Sequence, residues 1–212
     1  MQIPAFALAI GALGIFKLTY STIMQFITAY GYLGIFALMT LENASLPIPS
    51  EVVLPAIGFF VKSGQLNFAL ALGAALLGNL VGIMIDYYIA YYLGKDFVYR
   101  HARTFHIKES WIKSFEEWFA RNGDFTVFVS RMMPVVRGLI SFPAGFALMP
   151  KGKFIAYSML GTLIWDVVLI AFGYQVGVYV AAGNIAYTLA LIAVFAIALY
   201  ALYKLAAART RK

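Results

Sequence analysis

Leu41-Glu42-Asn43-Ala44-Ser45-Leu46-Pro47-Ile48-Pro49-Ser50-Glu51 interrupts an apolar run with two carboxylates and two prolines. A second stretch, Ser130-Arg131-Met132-Met133-Pro134-Val135-Val136-Arg137-Gly138, interrupts another with two guanidiniums. An Asp, Lys or Arg at membrane depth costs roughly 2.5–3.5 kcal/mol on insertion scales, so ions retained inside such runs need a purpose. Prolines 47, 49, 134 and 143 are expected to break the helices there and turn the chain into hairpins. Carboxylates from one half and arginines from the other read as one site assembled from two places.

The surrounding composition supports a membrane setting. Of 212 residues, 63% are hydrophobic and 12% charged, against about 25% charged in an average soluble domain. The net charge of +7 is concentrated in flanks and loops beside apolar spans, which fits the positive-inside rule and argues against nucleic acid as a partner. There is no cysteine, which excludes disulfides and thiolate metal sites. His101 and His106 share one polar loop, and no acidic cluster has metal-ligand spacing, so neither metal nor cofactor is expected. Met1 to Phe16 lacks the basic start of a signal peptide.

The whole chain, 1–212, therefore reads as a single all-α integral membrane domain. Residues 1–29 form an N-terminal helix region. Residues 30–94 form a first unit, in which a re-entrant hairpin at about 36–61 precedes a span at 65–93. The run Val52 to Val61 is too short for a hydrocarbon core that needs about 20 helical residues. Residues 95–124 carry six basic and five acidic residues together with Trp111, Phe115, Trp118 and Phe119 at helical spacing. That segment reads as a cytoplasmic amphipathic loop, lying on the membrane surface or packed on its own protein. Residues 125–177 repeat the order, a hairpin at 125–149 and then a span at 154–177. A final helix at 184–203 and a basic cytoplasmic tail at 204–212 follow.

The two units echo each other. Tyr30-Gly31 corresponds to Asn122-Gly123, Gly58-Phe59 to Gly145-Phe146, Gly78 to Gly161 and Gly94 to Gly177. One span separates the hairpins, so the second copy is expected to be inverted, with two re-entrant hairpins packed within transmembrane helices. Transporters built this way place substrate sites near the midplane, where the interrupted helices meet.

At these motifs the sequence resembles the DedA family, also called VTT-domain or SNARE-associated membrane proteins. The matching residues are Phe36 to Glu51, then Phe128-Val129-Ser130-Arg131 through Pro134, Arg137, Pro143-Ala144-Gly145 and Met149, and the likeness covers about residues 25–180. The resemblance implies two facing re-entrant hairpins and lipid transport: undecaprenyl phosphate recycling in bacterial members, phospholipid scrambling in eukaryotic relatives. It also implies that two acids and two arginines are essential, which fall here on Glu42, Glu51, Arg131 and Arg137. Some members carry Asp where this chain has Glu51.

Chemistry gives each a role. The planar fork of arginine donates two charge-assisted hydrogen bonds to a phosphate, so Arg131 and Arg137 are the expected phosphate binders. The competing reading is that each pairs permanently with Glu42 or Glu51 and locks the hairpins. Glu42 and Glu51, desolvated, are candidates for proton coupling or gating. Ser50 begins a helix after Pro49, where backbone N–H groups favour an anion, although an ordinary N-cap explains it too. Asp86 and Asp166 are secondary candidates for a proton relay, with a helix-packing role preferred for each. The leading function is a flippase for a polyprenyl phosphate, undecaprenyl or dolichyl in type, across the cytoplasmic membrane, possible proton coupling included. The alternatives are a passive phospholipid scramblase and a proton-coupled small-molecule exporter. An embedded phosphatase fares worse, because the two histidines sit together in the loop.

Overall fold

The computed structural model describes the backbone of residues 5–46, 48–101, 109–133 and 136–181, and the side chains at 21–46, 48–92, 117–133 and 136–177. The final helix expected at 184–203, the tail, His106, Pro47 and Pro134 lie outside the described residues, as do the side chains of His101, Trp111 and Phe115. Among the described residues the chain is all helix and loop: α1 (Ala5–Asn43), α2 (Ser50–Lys62), α3 (Phe68–His101), α4 (Glu109–Ser130), α5 (Val136–Leu139), α6 (Ser141–Phe146) and α7 (Lys151–Ala181). Ser21–Asn43, Phe68–Tyr92 and Lys151–Gly177 are long and apolar enough to cross a membrane.

Gly31 divides α1. Its φ of 54° and ψ of −128° are open to glycine and strained for any other residue, so the helix axis breaks there. The segment 32–43 beyond the break, a first arm, is about 18 Å long at 1.5 Å per residue, and α2, a second arm, about 20 Å. Tyr32 Oη accepts a hydrogen bond of 2.9 Å from the Asn67 backbone N–H, which ties the start of the first arm to the loop after α2. The second unit is closed similarly: Lys153 Nζ and Asp124 Oδ2 pair at 3.1 Å across the base of residues 124–153.

Glycines let the helices approach at backbone distance. Added Cβ atoms at Gly78 and Gly82 would meet Phe36 and Met39, and Thr40 and Asn43, so the first arm and α3 run side by side in parallel. A Cβ at Gly161 would meet Phe128 O at 2.6 Å and Arg131 Cβ at 2.7 Å. The middle elements cross over. Gly58 of α2 rests on Ile170, Gly173 and Tyr174 of α7, and Gly145 of α6 rests on Tyr87, Ala90 and Tyr91 of α3, the same i, i+3, i+4 footprint. Pro55 assists this, since Gly173 packs directly on its backbone. One apolar cluster gathers α1, α2, the start of α3 and Trp165, Leu169 and Ile170 of α7. The other gathers Ile83 and Tyr87 of α3 with α4, α6 and the start of α7.

Within the segment 95–124, α3 continues to His101 and α4 starts at Glu109. No break separates that segment from the second hairpin, because Gly123 sits inside α4 with the Phe119 ring covering it. A lone glycine costs a helix only about 1 kcal/mol, which neighbouring turns absorb. Pro143 follows the break at Ile140 that parts α5 from α6. It occupies the first turn of α6, where a backbone N–H would have no intrahelical acceptor.

Candidate functional site

Arg131 is the first residue past α4 and is fully buried. Its Nη1 donates to the Arg137 carbonyl at 2.6 Å and its Nη2 to Ser141 Oγ at 2.8 Å. The guanidinium lies 5.7 Å from the centre of the Phe154 ring, itself stacked on Tyr87 at 4.6 Å. These contacts tie the turn that follows α4 to α5 and α6. Arg131 thus acts on the position of Arg137.

Arg137 has the opposite character. It is 2% exposed, yet none of its three guanidinium nitrogens makes a hydrogen bond. Glu42 Oε1 lies 3.6 Å from its Nε, close enough for ionic attraction and too far for a hydrogen bond. The Trp165 ring centre is 5.5 Å away. Buried donors are normally satisfied, and the guanidinium of Arg137 stands out against that rule.

A cavity of about 500 Å³ opens beside Arg137, lined by Glu42, Ser45, Leu46, Ile48, Pro49, Glu51, Arg137, Gly138 and Leu139. Ser50 is buried beside it at the start of α2, its Oγ without a hydrogen-bond partner. Glu51, in the first turn, is half-buried. The surroundings are mixed: aliphatic walls, two acids and one arginine.

Behind the cavity runs a chain of amides. Asn43 Nδ2 contacts Glu42 Oε2 and donates to Asn79 Oδ1 at 2.6 Å, and Asn79 Nδ2 donates to Asp166 Oδ2 at 2.7 Å. Three helices are joined this way at the centre of the molecule. Asp86 stands apart from this chain, accepting from Ser45 Oγ at 2.5 Å. Ser45 holds a φ of 59°, a left-handed conformation costing roughly 1–2 kcal/mol in a residue with a Cβ, and its bond to Asp86 pins the hairpin tip to α3. One residue on, Tyr87 Oη donates to the Met149 carbonyl at 2.5 Å and fastens the second unit to the same helix.

Glu42, Glu51 and Arg137 thus converge on the cavity, with Ser50 buried between Pro49 and Glu51 of its lining. Arg131 stands behind it, Asp86 serves as an anchor and Asp166 ends the amide chain. Sequence reading passed over Asn43, Asn79, Trp165, Ser45 and Ser141. An asparagine at the middle of the apolar run Phe68–Tyr92 was a usable signal for Asn79, since an amide in hydrocarbon requires partners. Nothing in the sequence marked Ser141, whose value lies in the arginine it meets. Among the described residues no three His, Asp or Glu side chains gather as metal ligands.

The VTT domain pattern matches residues 48–175. Undecaprenyl phosphate transporter A of Bacillus subtilis is 34% identical over 87% of this chain and 93% of its own. The protein of that name in Staphylococcus aureus is 34% identical over 71% and 76%. A Lactococcus lactis protein called alkaline phosphatase-like is 35% identical over 73% and 75%. No solved structure gives a significant match. With the domain match spanning more than half its length, the chain belongs to the VTT-domain, or DedA, family of membrane proteins.

Proposed function

We propose that this protein moves a polyprenyl phosphate across the cytoplasmic membrane, binding the phosphate head in the cavity between two re-entrant hairpins. The observation that carries the proposal is Arg137, buried, hydrogen-bonded to nothing and lining that cavity. A phosphate monoester supplies the acceptors that its donors lack, in the bidentate geometry a guanidinium prefers. The names of the Bacillus and Staphylococcus relatives point to the same lipid. Arg131 positions the loop, while Glu42 is the resting counter-ion that the phosphate displaces. Glu51 and Ser50 line the path of the head group. The aliphatic lining from Leu46, Ile48 and Leu139 suits the first isoprene unit.

An inverted arrangement is supported by the direction of the contacts. The first arm runs parallel to α3, and α2 turns back against both. Gly173 of α7 packs on Pro55 of α2 and Gly177 on Phe59 and Lys62, so α7 runs with α2, while Asn79 and Tyr87 of α3 meet Asp166 and Phe154 of α7 in falling order, so α7 runs against α3. The hairpins then enter from opposite faces and meet tip to tip, as alternating access requires. Lys151 and Lys153 at the start of α7 favour a cytoplasmic side for that face.

The test is binding of undecaprenyl monophosphate to purified protein by native mass spectrometry, compared with phosphatidylglycerol. Arg137→Lys, which keeps charge but loses the fork, should cut selective binding at least tenfold while the protein stays folded by size exclusion. Equal binding by wild type and Arg137→Lys sinks the proposal. Release of inorganic phosphate from the lipid would turn it toward the hydrolysis suggested by the Lactococcus name.

A further inference from the structure

A buried guanidinium can be held through its N–H groups or through its faces. Arg131 is held in both ways: Nη1 and Nη2 donate to a carbonyl and a hydroxyl, and the Phe154 ring centre lies 5.7 Å from the guanidinium carbon. Arg137 has the second kind of hold without the first. Its Nε, Nη1 and Nη2 have no hydrogen-bond partner, and the centre of the Trp165 ring lies 5.5 Å from its guanidinium carbon. That is within the roughly 6 Å over which an aromatic face attracts a cation, and tryptophan is the strongest ring in this role.

Trp165 is itself firmly placed. It is 5% exposed, and it packs in the apolar cluster that joins α1 and α2 to Leu169 and Ile170 of α7. Its indole N–H is buried without a hydrogen-bond partner, so packing alone sets the direction of the ring. Trp165 thereby carries the packing of α1 and α2 to the arginine of α5. On the other side stands Glu42, whose Oε1 is 3.6 Å from Arg137 Nε. A guanidinium and a carboxylate free to close would reach about 2.7–2.9 Å and bond through one or two N–H groups. The ring face opposes that pull, and the N–H groups remain unspent.

We propose that Trp165 is the positioning residue of the phosphate site: its ring carries the Arg137 guanidinium by the face, leaving the N–H groups for an incoming phosphate. An arginine held by hydrogen bonds must break them to take a ligand. One held by a ring face keeps its hold while it binds. The indole N–H has no part in this, so phenylalanine can stand in for Trp165 and leucine, with similar bulk and no π face, cannot. The phosphate half of the proposal rests on the lipid-phosphate reading of the cavity, whereas the hold of Trp165 on Arg137 does not.

Two measurements keep those apart. With the other two tryptophans replaced, as Trp111→Phe and Trp118→Phe, the fluorescence of the protein reports Trp165 alone. In the absence of polyprenyl lipid, Arg137→Gln should shift that emission, because a charge over the indole ring is removed. Binding of undecaprenyl monophosphate, by native mass spectrometry of otherwise wild-type protein, should weaken roughly tenfold in Trp165→Leu and stay within about threefold in Trp165→Phe. Trp165 emission indifferent to Arg137→Gln, Trp165→Leu binding equal to wild type, or Trp165→Phe binding at least tenfold weaker than wild type overturns the assignment. Should Trp165→Leu fail to fold by size exclusion, the emission shift and Trp165→Phe decide it. Wild type that binds no undecaprenyl monophosphate while Arg137→Gln shifts the emission overturns the phosphate reading and leaves the ring-held arginine standing.

Discussion

Replacing Glu42 by glutamine tests whether the Glu42–Arg137 pair is a lock or a gate. The two atoms stand 3.6 Å apart. Coulomb attraction at that distance is about 4.6 kcal/mol at an effective dielectric constant of 20 and about 1.2 kcal/mol in bulk water. The pair borders a cavity on one side and packed protein on the other, so a working figure of about 2 kcal/mol lies between these limits. A phosphate arriving at Arg137 must overcome this attraction and the repulsion of Glu42. Glutamine keeps the size of the side chain and its approach to Asn43, while removing both penalties. Affinity for undecaprenyl monophosphate should therefore rise roughly 30-fold, since each 1.4 kcal/mol is a factor of ten. The assay is equilibrium binding by native mass spectrometry at neutral pH, with size exclusion checking the fold. Net transport should fall, because a site that binds tightly without its displacing carboxylate releases slowly. Unchanged or weaker binding by folded Glu42→Gln would refute the reasoning and leave the pair as a permanent brace.

Other perturbations probe the scaffold. Ser141→Ala strips an acceptor from buried Arg131 and should cost about 1.5–3 kcal/mol, the value of a hydrogen bond to a charged group, seen as earlier thermal unfolding in detergent. Gly58→Ala and Gly145→Ala place a methyl against the backbone of α7 and α3, so each should lose about 1–3 kcal/mol. Gly73→Ala meets nothing within 4 Å and should be neutral or gain up to about 1 kcal/mol, a control in the same assay. Gly31→Ala also meets no atom, but its backbone conformation costs roughly 1–3 kcal/mol with a Cβ present; destabilisation without a packing clash, measured against Gly73→Ala, is the expected result.

Much of the design was legible along the chain. Apolar runs mark the long helices because hydrocarbon tolerates little else, and the four site ions stand out because ions there are costly. Two of the glycine correspondences, Gly58 with Gly145 and Gly78 with Gly161, became contacts with a shared footprint. Helix limits were less so: Gly31 broke α1 and Gly123 left α4 intact, although both are glycines preceding a hairpin. The backbone angles that separate them follow from what packs around each.

By itself, then, the sequence determined the membrane setting, the helical content and the list of ions, because all three follow from the local cost of placing polar groups in an apolar medium. Only the tertiary structure decided what each ion does. Arg131 and Arg137 have identical chemistry and sit in one motif, yet one is consumed by Ser141 and a carbonyl while the other faces a cavity with its donors idle. Asn79 gained meaning from its partners Asn43 and Asp166, on helices distant in sequence. Satisfaction of a buried polar atom is a property of the whole packed arrangement, and no local reading of residue types contains it.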